Sequence, residues 1–331
     1  MEELNRILGN DAIKNYFRSA IEHDRVSHAY IFEGEKGCGK KLMTEIFAKT
    51  LQCEGEQKPC GKCSSCLQIA HHNHPDVIWV KHEKANLIKV EDIRDQLINT
   101  IDIRPYKGPY KIYIIDEAEK MNIQAQNAIL KTIEEPNGYA ILFLLTQSRG
   151  AFLPTILSRC ITMSVKPVST GQIKAYLTQK EGIDAGRADF YAGFSMGNLG
   201  KAISMANSEE FNELRNHAIH LLRNLHESSA DELDGRAKEC KEFKENMADY
   251  FDIMRMWFRD LLIWKTTKSS EKIIFRDQMS ILSRQEKLLS LEAIPKIFDA
   301  IDRCDRQWKA YVNFEPSLTV MFLSIRRSFQ D

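Results

Sequence analysis

Apolar positions change rhythm along this chain. In residues 1–166 they gather into short, nearly unbroken runs. His28–Glu33 (HAYIFE), Asp76–Val80 (DVIWV), Lys111–Ile115 (KIYII) and Ala140–Leu145 (AILFLL) are four of these, and Arg159–Val165 is a weaker fifth. Runs of that length without polar alternation predict strands buried on both faces, the habit of a parallel sheet. Between them the spacing turns helical. Leu42, Ile46, Phe47 and Leu51 share one face of Lys41–Leu51, and Glu91–Thr100 and Ile123–Ile133 also read as helices. Strands alternating with helices predict an α/β domain with helices on both faces of a parallel sheet.

Residues 166–171 (KPVSTG) end this alternation, and no strand pattern follows them. Gln172–Lys180, Arg187–Phe194 and Lys201–Asn207 predict short helices, separated by Gly182 and Gly197. From Glu209 onward the helices lengthen. Met247, Tyr250, Phe251, Met254, Trp257, Phe258, Leu261 and Leu262 form an amphipathic stripe that reads as core. The expected organisation is an α/β domain over 1–166, a small helical domain over 167–208 and an all-α domain over 209–331.

Composition narrows the function classes. The chain carries 46 basic and 46 acidic side chains, for a formal net charge of zero. Autonomous binding to nucleic acid or acidic membranes normally needs a basic excess. No apolar run reaches the roughly 18 residues of a membrane span. The first residues, Met1–Asn5, lack the basic and apolar segments of a secretory signal. The expectation is a cytoplasmic protein with reduced cysteines.

Two stretches carry candidate nucleotide chemistry. Residues 34–41 (GEKGCGKK) follow a predicted strand and open a predicted helix. They match the phosphate-binding P-loop pattern at Gly34, Gly39 and Lys40, with Gly37 inside the loop. Its glycines let backbone N–H groups approach phosphate, and Lys40 reaches toward it. The final position holds Lys41, where an intact loop has a Ser or Thr that helps hold Mg²⁺. The second stretch is the strand Lys111–Ile115, which ends in Asp116 and Glu117. There the first acid suits holding Mg²⁺ through water, and the second suits polarising an attacking water.

Three further stretches give the chain a family likeness: residues 26–30 (VSHAY), 121–136 (MNIQAQNAILKTIEEP) and 153–160 (LPTILSRC). They resemble the AAA+ clamp-loader subunits of bacterial DNA polymerase III. The likeness is good over the first 165 residues, thinner over 167–208, and rests on length and helical pattern beyond. It implies an AAA+ P-loop NTPase domain, a helical lid and a helical collar that oligomerises. The implied partners are gamma/tau motor subunits and a delta subunit, and through them the sliding clamp and primed DNA. It also implies that Arg159, in the Ser158-Arg159-Cys160 motif, is an arginine finger for a neighbour's nucleotide. Motor subunits carry a sensing arginine in their lid, but the matching stretch here, residues 197–202 (GNLGKA), has Gly200 in its place. With Lys41, that makes two altered nucleotide-contacting positions. The expectation is weak or absent ATP/Mg²⁺ binding, negligible hydrolysis, and a non-motor ring subunit that helps load the clamp. The alternatives are an active AAA+ motor or helicase-loader-type ATPase, and a zinc-dependent nucleic-acid-binding adaptor.

Cys53, Cys60, Cys63 and Cys66 place four thiols within fourteen residues. In a reducing compartment such clustering reads as metal binding rather than disulfides. Four soft ligands suit structural Zn²⁺. An iron–sulfur cluster is the competing reading, but its fourth Cys-Pro spacing is missing after Cys66. The resemblance implies a four-cysteine zinc knob here. The first gap is short for that family, so His71, His72 or His74 stands as a substitute for Cys53.

Overall fold

The computed structural model describes residues 2–310 and 312–330, so the outermost bounds Met1 and Asp331 of the expected domains lie outside it. Two compact units emerge: residues 1–172 with 197–201, and residues 173–196 with 202–331. The segment 167–208 is therefore shared between them.

The first unit is built on five parallel strands: β1 (Ala29–Glu33), β2 (Val77–Trp79), β3 (Lys111–Ile115), β4 (Ala140–Thr146) and β5 (Ile161–Ser164). Their spatial order is β2-β3-β4-β1-β5. Around them lie α1 (Asp11–Glu22), α2 (Lys40–Gln52), α3 (Ser64–Ala70), α4 (Val90–Ile93), α5 (Ile123–Glu134) and α6 (Pro154–Leu157). The central residues of β1, β3 and β4 are apolar because both faces are covered, and polar residues stand only at their ends, at Glu33, Lys111 and Thr146. Tyr30, Phe32, Ile112, Ile114 and Phe143 pack on one side with Phe17 of α1 and Ile46 and Phe47 of α2. Ile31, Tyr113, Ile115, Leu142 and Leu144 pack on the other with Ala125, Ile129 and Ile133 of α5. Alternate residues of each strand thus serve opposite cores.

Two elements differ from the sequence reading. The helix expected over Glu91–Thr100 is α4 followed by a π-helical turn, Arg94–Ile98, in which the Asn99 N–H donates to the Arg94 carbonyl at 2.9 Å. Ile93, Leu97 and Ile101 are all buried at four-residue steps. On an α-helix each such step drifts by about 40°, and one wider turn takes up the drift. The fifth strand is only four residues long. It lies at a sheet edge paired to β1 alone, so its positions are part-exposed and its apolar signal is diluted.

The second unit is helical throughout its described residues. Its longest helix, Met247–Thr267, buries Met247, Tyr250, Phe251, Met254, Trp257, Phe258 and Leu261, as the stripe predicts; Leu262 is half-buried. From the same helix the fully buried Asp260 accepts the Ile274 and Phe275 N–H groups at 2.7 and 2.8 Å, and Arg259 contacts its other oxygen at 2.8 Å. Burial pushes this carboxyl above its usual range, and those three donors oppose the rise. Asp260→Ala strands two buried donors and is expected to cost about 3 kcal/mol, at about 1–3 kcal/mol per unsatisfied group. Urea unfolding checks this, with Asp260→Asn, which keeps an acceptor oxygen, losing less.

Candidate functional site

The carboxyl ends of β1, β3 and β4 converge on one cavity of about 500 Å³, lined among others by Lys36, Gly37, Lys40, Lys41, Asp116 and Glu117. In open parallel sheets ligand sites form in this crevice, beyond the strand ends. The sequence-predicted loop and acids are therefore brought together, although β4 separates their strands.

The loop keeps the backbone of a phosphate cradle. Gly39 is the N-cap of α2 with φ 101°, and Gly37 has φ 89°, both in the left-handed region open to glycine. Lys40 is nearly buried, and its Nζ donates to the carbonyls of Gly34 and Glu35, the latter at 2.8 Å. The ammonium is folded against its own loop.

The charges around the cradle are already matched. Lys41 Nζ lies 2.6 Å from Asp116 Oδ2. Glu117, in the left-handed region at φ 49°, receives Lys120 Nζ at 2.6 Å, and that contact holds its carboxyl below the ordinary range. Lys120 also donates to the Ala85 carbonyl at 2.6 Å. Glu119 accepts from the Gln147 backbone and side-chain nitrogens at 3.3 and 3.1 Å. This donor set does not fit Mg²⁺. The hydroxyl ligand is absent, and the carboxylate that would face the ion is engaged by an ammonium.

Gly200 lies directly on the loop. Its N–H donates to the Gly37 carbonyl at 3.1 Å, and a Cβ built on it would come within 2.5 Å of that oxygen. Asn198 closes the contact, donating from Nδ2 to the Lys36 carbonyl at 2.8 Å. Gly200 is therefore more than a missing arginine, because the backbone occupies the space through which any side chain would leave.

Arg159 stands apart from this cavity. Its side chain is 39% exposed, with Nη2 3.0 Å from Glu134 Oε1 and Nη1 donating to the Thr155 carbonyl at 3.0 Å. Lys120 and Glu134 are the partners that the sequence reading missed. Glu117-x-x-Lys120 was findable as an i,i+3 pair, whereas Glu134 and Arg159 meet only through the fold.

The four cysteines converge as their spacing suggested. The sulfurs of Cys53, Cys60, Cys63 and Cys66 all lie within 4.8 Å of one another. Four sulfurs around one zinc at 2.3 Å stand about 3.8 Å apart, so the arrangement fits a single tetrahedral ion. Backbone N–H groups of Gly55 and Cys60 point at the Cys53 sulfur at 3.4 and 3.3 Å, Cys63 N–H at Cys60 and Cys66 N–H at Cys63. The N–H groups of Lys62 and Cys63 draw the Cys60 thiol down to about 6, while burial pushes Cys53 and Cys66 up. Of the candidate substitutes, His74 is turned away: its Nδ1 accepts the Asp76 N–H at 3.1 Å and its Nε2 meets Ser65 Oγ at 3.3 Å. Asp76 also gathers the N–H groups of Tyr106, Lys107 and Gly108, and Lys107 Nζ reaches Glu54 and Ser64 beside the cysteines.

Comparison with known proteins gives the chain's family. Residues 9–169 match the family model described as DNA polymerase III, delta subunit, and residues 210–326 match its C-terminal counterpart. The chain is 27% identical over 314 residues to DNA polymerase III subunit delta' of Bacillus subtilis, covering 93% of each chain. It is 37% identical over 141 residues to subunit delta' of Pseudomonas aeruginosa, covering 41% of this chain and 42% of that one. Against subunit tau of Bacillus subtilis it is 25% identical, with 92% of this chain but 58% of that protein covered. A gamma subunit-related protein of Thermotoga maritima superposes with a TM-score of 0.46 at 18% identity, covering 96% of this chain and 99% of that one.

Proposed function

Since this chain belongs to the DNA polymerase III delta-subunit family and is a clamp-loader subunit, we propose that it fills the delta-prime position in the ring. There it is a non-motor subunit that assembles with gamma/tau-type motor subunits and a delta subunit, and helps place a sliding clamp on primed DNA. The observation that carries this reading is the Lys41–Asp116 ion pair at 2.6 Å. It puts an ammonium against the acid that a motor subunit uses for Mg²⁺, in a loop that lacks the hydroxyl ligand.

Arg159 supplies the working charge to a neighbour. Its guanidinium is exposed, it lies outside this chain's own cavity, and its only carboxylate partner among the described residues is the exposed Glu134. The cysteine cluster holds one structural Zn²⁺, which the four-thiol geometry and its N–H···S contacts favour. The metal steadies the 53–66 knot and, through Lys107, the loop that Asp76 fixes.

Reconstitution with candidate motor and delta subunits tests the assignment. Leaving this chain out is expected to reduce clamp loading to background. Glu117→Gln removes the water-polarising acid of an active motor, yet here it is expected to leave the complex's ATP turnover within about twofold, because hydrolysis takes place at the motor subunits and Glu117 is engaged by Lys120 at 2.6 Å. Turnover that collapses in Glu117→Gln would identify a working motor instead.

A further inference from the structure

The contacts that hold the irregular segment 103–109 converge on the cysteine knot. This segment buries little of its own, since Ile103 is 61% and Tyr106 88% exposed. Polar contacts fix it instead. On the sheet side the buried Asp76 accepts the Tyr106, Lys107 and Gly108 N–H groups at 2.6, 2.7 and 3.2 Å. On the other side the contacts come from residues beside the thiols. Gln52, next to Cys53, donates from Nε2 to the Tyr110 carbonyl and leaves no room for a Cβ on Gly108. Glu54, on the other flank of Cys53, meets Lys107 Nζ at 3.2 Å. Ser64, next to Cys63, accepts from the same ammonium at 2.6 Å, and Gln68, one turn along α3, accepts at 3.3 Å.

A second route runs through His74. Ser65, next to Cys66, donates to Glu54 at 2.6 Å and meets His74 Nε2 at 3.3 Å, while His74 Nδ1 accepts the Asp76 N–H at 3.1 Å. Because Nδ1 accepts, Nε2 carries the proton and donates to Ser65, so the ring and the hydroxyl are both matched. Burial holds the His74 ring below its ordinary pKa, in the neutral form this pattern needs. The two routes close a circuit from the thiols to the loop and back. Its geometry depends on where the thiols stand. Cys63 is the N-cap of the seven-residue helix α3 and Cys66 lies in its first turn, and isolated helices shorter than about 12 residues are marginal in water.

We propose that the four-cysteine knot is a metal-set brace for the exposed 103–109 loop. Metal on the thiols fixes the flanking residues that grip the loop, and metal loss releases that grip, leaving Asp76 as the anchor on the sheet side. The inference rests on the structural-metal reading and goes beyond it, because the surface it governs lies outside the knot.

The test is hydrogen exchange of the full chain, read by mass spectrometry on peptides covering 103–110 before and after zinc removal with a chelator, alongside metal analysis. Removal is expected to speed exchange there by about tenfold or more, the scale of one or two lost hydrogen bonds, with peptides covering β1, β3 and β4 unchanged. Lys107→Met keeps the aliphatic stem and removes the ammonium, cutting the contacts to Glu54, Ser64 and Gln68 without touching a thiol. It is expected to speed loop exchange with one zinc still bound, which reads the brace even where the stripped protein aggregates. Loop exchange unchanged by removal of a metal that was present overturns the brace and leaves the structural site standing, as does unchanged exchange in Lys107→Met. Exchange that rises across all the strands assigns the metal to the whole domain and overturns the brace as well. Metal-replete protein without zinc overturns both readings.

Discussion

Alanine at Arg159 is expected to slow ATP turnover at the neighbouring subunit's site by about 10³-fold or more, the range that arginine fingers supply, and to bring clamp loading close to background. The Arg159 guanidinium is a planar, permanently charged fork, suited to charge spread over the oxygens of a transferring phosphoryl group. In the isolated chain that fork is parked on Glu134 at 3.0 Å, with the Thr155 carbonyl behind it. Both members of the pair are substantially exposed, and such pairs are worth about 0–1 kcal/mol. Release to a neighbour's phosphate is therefore cheap. Glu134→Gln separates the parking contact from the finger, and the complex carrying it is expected to keep near-normal turnover. Arg159→Lys keeps the charge but loses the fork, and is expected to fall between the two. Single-turnover hydrolysis and clamp loading on primed DNA measure all three variants. An Arg159→Ala complex working at the unmodified rate would falsify the assignment.

The parts of this molecule that were legible in the sequence are those fixed by local pattern. Tyr113 and Ile115 face one core and Ile112 and Ile114 the other, so residues 112–115 had to be apolar at every position and could be read as a buried strand. The phosphate loop was legible because Gly37 and Gly39 need left-handed backbone, which ties residue type to conformation. What the sequence withheld are pairings made by the fold. Lys41 and Asp116 are far apart in the chain, and nothing local to either predicts that strand order brings them within 2.6 Å. Gly200 reads in sequence as a lost side chain, yet the structure shows backbone lying against Gly37. The π-helical turn at Arg94–Ile98 escaped for a related reason. Its cause is the alignment of Ile93, Leu97 and Ile101 against the sheet, whereas the local pattern also satisfies a plain helix.

Stripping the metal is expected to open the 53–66 knot while leaving the sheet folded. A segment this short has little to bury: Cys53 and Cys66 are among its few buried residues, and both belong to the candidate ligand set. Holding four thiols within 4.8 Å without a cation means either protonating them or tolerating repulsion between thiolates. Structural zinc contributes about 10–16 kcal/mol of apparent binding free energy in zinc-finger peptides, far more than the hydrogen bonds of Lys107 to Ser64 and Gln68 supply here. The β-sheet cores do not depend on the knot, since their buried residues pack α1, α2 and α5 directly on the strands. Chelation is therefore expected to increase protease cleavage within 53–66 with little loss of far-ultraviolet circular dichroism. Metal analysis of the untreated protein is expected to give one zinc per chain and no iron. Cys53→Ser decides between the two readings of the fourth ligand: it is expected to lose the metal, whereas His74→Ala keeps it because that ring faces Ser65 and Asp76. Zinc retained by Cys53→Ser and lost by His74→Ala would transfer the ligand role to the histidine, and a stoichiometry near zero in metal-replete protein would remove the site altogether.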